Sequence, residues 1–183
     1  MKNALILHGT MGSPDGNWFR WLESELVKKG YKVWVPKLPK SEKPRVSENV
    51  DYIFKRKWKF DRDSVLVGHS SSPATIWAIL QELPDDVIVS MCIFVSAFIK
   101  SDWEANSELF DYKYDWKKIK RHSKKFILIH SDNDPYTPLS QAKMLAKNLN
   151  GELIIKEGQG HFNLEKGPEY KKFPFLLKLI ENE

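Results

Sequence analysis

The chain has one cysteine, Cys92, so no disulfide framework can staple it. Long hydrophobic runs are missing as well. Stretches such as Met91-Cys92-Ile93-Phe94-Val95 fall far short of the ~20 residues that a membrane span needs. The early run Ala4-Leu5-Ile6-Leu7 is too short for the apolar core of an export signal and reads as a first strand. These absences point to the cytoplasm and to no membrane partner. No His-x-x-x-His pair and no carboxylate cluster of ligand spacing occurs, so no metal is expected. No Gly-Lys-Ser/Thr ending occurs, which weighs against a nucleotide-phosphate loop.

What is there suits one globular domain spanning residues 1–183. Hydrophobic residues make up 42% and charged residues 29%, enough of each for a sizeable core under a solvated surface. The formal net charge of +5 raises the question of nucleic acid. Its main sources are Lys55-Arg56-Lys57-Trp58-Lys59 and the run 117–125, both just before predicted strands. No nucleic-acid-binding motif accompanies them, so they read as solvated helix faces and no nucleic-acid partner is expected.

The chain is organised around Ser64-Val65-Leu66-Val67-Gly68-His69-Ser70-Ser71-Ser72-Pro73. An apolar, β-branched run ends in Gly-His-Ser-Ser-Ser, and the helical pattern Ala74-Thr75-Ile76-Trp77-Ala78-Ile79-Leu80 follows. A buried strand turning sharply into a helix with a serine at the corner is the pattern of a nucleophile elbow. The usual form is Gly-x-Ser-x-Gly, and here Ser72 stands at the last glycine. The same serines could instead cap the helix on an anion-binding loop.

Around this stretch, short apolar runs alternate with helical periodicity. Strands are expected at 4–7, 32–36, 64–69, 87–95, 126–130 and 152–156. Helices are expected from Asn17 to Gly30, at 47–58 with Ser47 as N-cap, at 74–83, at 139–150 with Gly151 as C-cap, and at 170–181. About six such alternations imply an α/β/α sandwich with a mostly parallel, roughly six-stranded sheet. Residues 97–123 are the least regular part and carry Trp103, Phe110, Tyr112, Tyr114 and Trp116. They read as a short aromatic insertion that either lines a pocket or packs onto the body.

In such sheets ligands bind beyond the carboxyl ends of the strands, where His8, Ser70, Ser96, the 131–134 turn and His161 fall. A carboxylate after the strand at 126–130 can orient an imidazole. Asp134, in Asp-Pro-x-x-Pro, is preferred, with Asp132 as the alternative. His161, in Gly158-Gln159-Gly160-His161-Phe162, is the candidate base, and the flanking glycines suggest a mobile loop. The order Ser, Asp, His, each just after a strand, is the one an α/β-hydrolase requires. Oxyanion donors are expected at the backbone N–H of Ser71 and at that of Thr10, with Met11 as the alternative. His8 and His69 read as structural residues.

With the His8-Gly9 loop and its Trp18 and Trp21 helix, the Gly68-His69-Ser70-Ser71 elbow, the Asp134-Pro135 turn and Gly160-His161-Phe162, the chain resembles the α/β-hydrolase superfamily along its full length. Within it the chain is most similar to the small, lid-poor serine hydrolases typified by retinoblastoma-binding protein 9 and the bacterial YdeN proteins. That resemblance implies a parallel core without the first two strands of larger relatives, and Ser70, Asp134 and His161 as a catalytic triad. The expected function is a carboxylesterase-like serine hydrolase acting on small-molecule esters with small or medium acyl groups, needing no cofactor. The alternative is a protein-binding module on a hydrolase scaffold.

Overall fold

The protein is described from a computed structural model covering residues 1–182. Its strands are β1 (Asn3–Leu7), β2 (Lys32–Trp34), β3 (Ser64–His69), β4 (Val89–Val95), β5 (Ser123–Ser131) and β6 (Glu152–Lys156). Its α-helices are α1 (Phe19–Lys28), α2 (Val46–Lys55), α3 (Ser72–Glu82), α4 (Trp116–Arg121), α5 (Leu139–Leu149) and α6 (Pro174–Glu181). Short 3-10 turns occur at Glu104–Asn106 and Pro168–Lys171. The six strands form one sheet in the order β2-β1-β3-β4-β5-β6, and every neighbouring pair is parallel.

The period-2 alternation of the strands divides the core into two layers. Leu5, Leu7, Leu66, Phe94 and Leu128 face α2, α3 and α5, with Ile53, Trp77 and Leu145 among the partners. Ala4, Ile6, Val67, Ile93 and Ile129 face α1 and α6, meeting Leu22, Leu26, Leu176 and Ile180. Each such side chain contributes about 1.5–3 kcal/mol by leaving water. Helix α3 follows the central strand β3 and is buried from Ser72 through Leu80, which explains its almost unbroken apolar sequence.

The topology sets where a site can form. From β1 the chain moves outward to β2, then returns past β1 to β3. Crossovers of one hand running in opposite directions put their helices on opposite faces, so α1 and α2 part company above the neighbouring ends of β1 and β3. A crevice opens at such a switch point. The loop after β1 begins with His8-Gly9-Thr10, and the loop after β3 begins with Ser70.

Several element ends differ from the sequence expectation, each for a local reason. Asn150, not Gly151, takes the left-handed position that ends α5, with φ 52°. Gly151 is small for another reason: a Cβ there would lie 2.9 Å from Leu128 Cδ1 and 3.0 Å from Phe126 Cβ. Helix α2 starts one residue before Ser47, whose N–H and hydroxyl both donate to the Asp111 carboxylate. Pro174 opens α6 and divides it from the 3-10 turn before it.

In the 97–123 segment, Tyr114 and Trp116 pack edge-on against Trp77 of α3, and Tyr114 Oη donates to the Ala74 carbonyl at 3.1 Å. These aromatics pack the segment onto the body, whereas Trp103 is exposed. The basic run at 117–121 forms the outer face of α4, with Ile119 turned inward. Among the described residues, no helix is long and apolar enough to cross a membrane.

Candidate active site

Ser70 sits between β3 and α3 with φ +62°, a left-handed conformation that is costly for a residue with a side chain. Its surroundings hold the turn in place. The Ser70 N–H donates to the Val95 carbonyl at 2.9 Å, extending the β3–β4 ladder by one residue. Gly68 is required beneath the corner, since a Cβ there would lie 3.0 Å from both Pro73 N and Ile76 Cδ1. Gly9 is required beside it, since a Cβ would lie 2.7 Å from Ser70 Cβ. At the last elbow position Ser72 fits without a glycine and adds a staple. Its Oγ accepts from His69 N at 2.9 Å and reaches the Leu7 carbonyl at 2.8 Å, joining the ends of β1 and β3.

The Ser70 hydroxyl lies 2.9 Å from Nε2 of His161, whose Nδ1 lies 3.0 and 2.9 Å from Oδ1 and Oδ2 of Asp134. A carboxylate can only accept, so Nδ1 carries the ring proton and Nε2 is left to accept from Ser70. The Asp134 side chain is fully buried and three further donors hold it. Ser96 Oγ donates to Oδ2 at 2.7 Å, and the N–H groups of Tyr136 and Thr137 donate to Oδ1 at 2.9 and 3.0 Å. Burial pushes this carboxyl up. The hydrogen bond from His161, with the Ser96 and Tyr136 donors, outweighs burial and holds it well below the usual carboxylate range.

The sequence suggests a mobile glycine loop around His161, but the structure shows a strapped one. Three consecutive side chains at and just beyond the end of β5 accept from three consecutive N–H groups after β6. Gly158 N donates to Asp132 Oδ1 at 2.8 Å, Gln159 N to Ser131 Oγ at 2.9 Å, and Gly160 N to Asn133 Oδ1 at 2.8 Å. The loop after β1 grips the other side, with Trp18 Nε1 donating to the Phe162 carbonyl at 3.0 Å and Leu164 N donating to Asn17 Oδ1 at 3.1 Å. His69 completes the frame, with Nε2 on the His161 carbonyl at 2.8 Å. Nε2 must therefore be protonated. Burial is the main cause that lowers the His69 pKa to about 3 and keeps the ring neutral.

The remaining pieces lie at the start of the β1–α1 loop. His8 Nε2 accepts from Leu38 N at 3.1 Å, so its protonated Nδ1 donates to the Gly9 carbonyl at 3.0 Å and braces the loop. The Ser71 N–H lies at the N-terminal end of α3, where the helix dipole favours negative charge. The Thr10 N–H donates to the Ser71 hydroxyl at 2.8 Å. Among the described residues, no group of three or more His, Cys, Asp and Glu side chains is placed to hold a metal ion.

The model of the serine hydrolase family matches residues 4–182. The chain belongs to the serine hydrolase family. Among relatives of this serine hydrolase, the YdeN protein of Bacillus subtilis (strain 168) is 27% identical over 181 residues, covering 98% of this chain and 94% of YdeN. The serine hydrolase RBBP9 of Rattus norvegicus is 24% identical over 185 residues, again covering 98% and 94%. The crystal structure of the B. subtilis ydeN gene product superimposes with a TM-score of 0.92 at 25% identity, covering 100% of this chain and 98% of that one. A ferulic acid complex of Est1E from Butyrivibrio proteoclasticus shares the fold at a TM-score of 0.71 and 13% identity, covering 100% and 87%.

The fold of this serine hydrolase brings Ser70, Asp134 and His161 into one hydrogen-bonded chain and puts Thr10 beside Ser71. It leaves Asp132 out of that chain, on Gly158 N. The roles of Ser131, Asn133 and Asn106 were not legible in the sequence. Ser131 and Asn133 sit in the same turn as the two aspartates, and a run of side-chain acceptors opposite a Gly-x-Gly loop is a signal for such straps. Asn106 carries no local signal at all.

Proposed function

We propose that this hydrolase cleaves carboxylic esters of small or medium acyl groups through an acyl-enzyme on Ser70. The observation that carries the reading is the unbroken chain from Ser70 Oγ through His161 to a buried, multiply bonded Asp134. Ser70 Oγ attacks the ester carbonyl carbon while its proton passes to His161 Nε2. The ionised Asp134 holds the ring in the tautomer that can accept and stabilises the imidazolium. The carbonyl oxygen becomes an oxyanion next to the N–H groups of Ser71 and Thr10. Such donors are worth roughly 3–4 kcal/mol each in other enzymes of this kind. The tetrahedral intermediate collapses, the C–O bond to the alcohol breaks, and His161 returns the proton to the departing oxygen. A water molecule, deprotonated by His161, then attacks the acyl carbon, and Ser70 leaves with that proton as the acid is released.

The shape of the mouth of the site supports the reading of substrate size. Ser70 is partly exposed, Tyr136 packs edge-on to His161 at 5.0 Å between ring centres, and Met11 next to Thr10 is 64% exposed. An open, partly aromatic mouth suits acyl groups of modest length.

A fluorophosphonate probe followed by peptide mass spectrometry tests the reading. The expected adduct is on Ser70 and is lost in His161→Ala, and p-nitrophenyl esters are turned over. A folded protein that never labels would reject the hydrolytic mechanism in favour of a binding module on this scaffold.

A further inference from the structure

Two polar groups of Thr10 converge on a single atom. Its backbone N and its Oγ1 both lie 2.8 Å from Ser71 Oγ. Thr10 Oγ1 also lies 2.6 Å from Asn106 Oδ1, an oxygen that can only accept. The one hydroxyl proton of Thr10 therefore goes to Asn106, and Ser71 supplies the proton shared between the two hydroxyls. Asn106 is held in this orientation by its Nδ2, which donates to Ser101 Oγ at 2.9 Å. Ser71 Oγ thus turns a lone pair to the Thr10 N–H and its proton to Thr10 Oγ1. The residue is 4% exposed, so water has little access to replace it.

We propose that the Ser71 side chain is a resting stand-in for the oxyanion: its hydroxyl caps the Thr10 N–H until a substrate carbonyl displaces it. The inference rests on Ser70 being the nucleophile. Ser71 then acts in two opposed ways. Its backbone N–H serves the oxyanion, while its side chain occupies the other donor and presents electron density where negative charge must develop. Engaging Thr10 requires Ser71 Oγ to rotate away, breaking both of its bonds to Thr10. In return, a partly buried donor stays satisfied when no substrate is bound. Asn106, carried by the segment after β4, sets the grip by fixing the direction of the Thr10 hydroxyl. In this role Ser71 is a positioning residue, and the chain from Ser101 through Asn106 and Thr10 links the segment after β4 to the oxyanion corner.

Ser71→Ala removes the cap and keeps the backbone N–H. The expected result is that Ser70 still labels with fluorophosphonate and that kcat/KM for p-nitrophenyl acetate rises about tenfold, the factor that one or two net hydrogen bonds are worth. Affinity for a trifluoromethyl ketone, which forms an oxyanion on the serine, should rise by the same factor while the melting temperature falls. A side chain that merely supported the fold would lower all three. Amide hydrogen exchange at Thr10, read by NMR, needs no turnover and should be slow in the wild type and faster in Ser71→Ala. A variant slower than wild type with Ser70 labelling intact overturns the cap and leaves the hydrolase reading standing. Unchanged Thr10 exchange also overturns the cap. A wild-type protein that never labels at Ser70 overturns both readings together.

Discussion

The two halves of the site are built differently. On the acid and histidine side, Asp134 receives from His161, Ser96, Tyr136 and Thr137, and the His161 loop is held from both neighbouring loops. Every group there already has the partner that the proposed chemistry needs. On the oxyanion side, Thr10 N–H is bonded to a side chain that the chemistry needs elsewhere. In the proposed mechanism the first half is preorganised, and the second exchanges one oxygen for another. Proton transfer tolerates little misplacement, because ring and hydroxyl must stay within hydrogen-bond reach. An oxyanion brings its own charge and can compete for a donor already in use.

The largest expected effects come from breaking the finished half. Asp134→Asn replaces an acceptor pair with an amide that can present its NH2 to His161 and favour the wrong tautomer. Ester turnover should fall about ten-thousandfold with fold and labelling site retained. Asp132→Asn loses at most one strap to Gly158 N, and its turnover should fall less than about tenfold, the worth of one hydrogen bond. Steady-state kinetics on the two variants decides the matter, and the reverse ranking would make Asp132 the acid. On the other side, Gly9→Ala puts a Cβ within 2.7 Å of Ser70 Cβ and must displace either Ser70 or the loop carrying Thr10. Its activity should fall by at least about a hundredfold, with circular dichroism unchanged.

The same division explains what could be read from the sequence. The finished half was legible because it is written in local signals: apolar runs ending in Ser70, in the Asp134 turn and in Gly160-His161. A parallel sheet delivers strand ends to one rim, so three separated turns become neighbours without any pairing information. The Ser72 staple was hidden because a serine at that position reads only as a departure from glycine, while its use depends on the Leu7 carbonyl, 65 residues away. The oxyanion corner was legible only in its backbone. That Thr10 and Ser71 should donate followed from position, but the hydroxyl lying between them depends on side-chain rotamers and on Asn106, 96 residues along the chain from Thr10. The strapped His161 loop was misread because glycines signal conformational freedom, whereas Gly158 and Gly160 use theirs to adopt φ 68° and 57° in a fixed turn.

A smaller effect sharpens the comparison through pH. His69 braces the finished half as a neutral donor, its pKa lowered to about 3 chiefly by burial. In the unfolded chain the ring titrates near 6.5, so between these values the unfolded state binds the extra proton. The stability His69 contributes is therefore complete above pH ~6.5 and is lost as pH falls toward ~3, with a slope of up to about 1.4 kcal/mol per pH unit. Asp134, held below the carboxylate range, adds to the loss as pH falls below about 5, where an unfolded aspartate starts to protonate. His69→Gln keeps an N–H donor for the His161 carbonyl but cannot titrate. Urea unfolding at pH 7, 6, 5 and 4 should show a shallower fall in the variant. An unchanged slope would assign the acid sensitivity to other buried histidines, His8 or His130, whose pKa values burial also lowers.

The smallest effect concerns the corner beneath both halves. Ser72 Oγ ties His69 N to the Leu7 carbonyl, so the strand that leads to Ser70 and the strand that leads to Thr10 share one side chain. Ser72→Gly restores the residue usual at this place in an elbow and removes that tie. A buried backbone N–H loses its partner, and glycine enters the first turn of α3 with its extra unfolded-state freedom. Together these should cost about 1–2 kcal/mol, or a melting temperature lower by about 3–6 °C for a chain of this size. Turnover should change by less than about threefold, because Gly68 and Gly9 still leave the room that the corner needs. A variant that melts higher would mean that crowding at the corner, relieved by the smaller residue, outweighs the staple, and that the two halves are joined by packing and not by the hydroxyl.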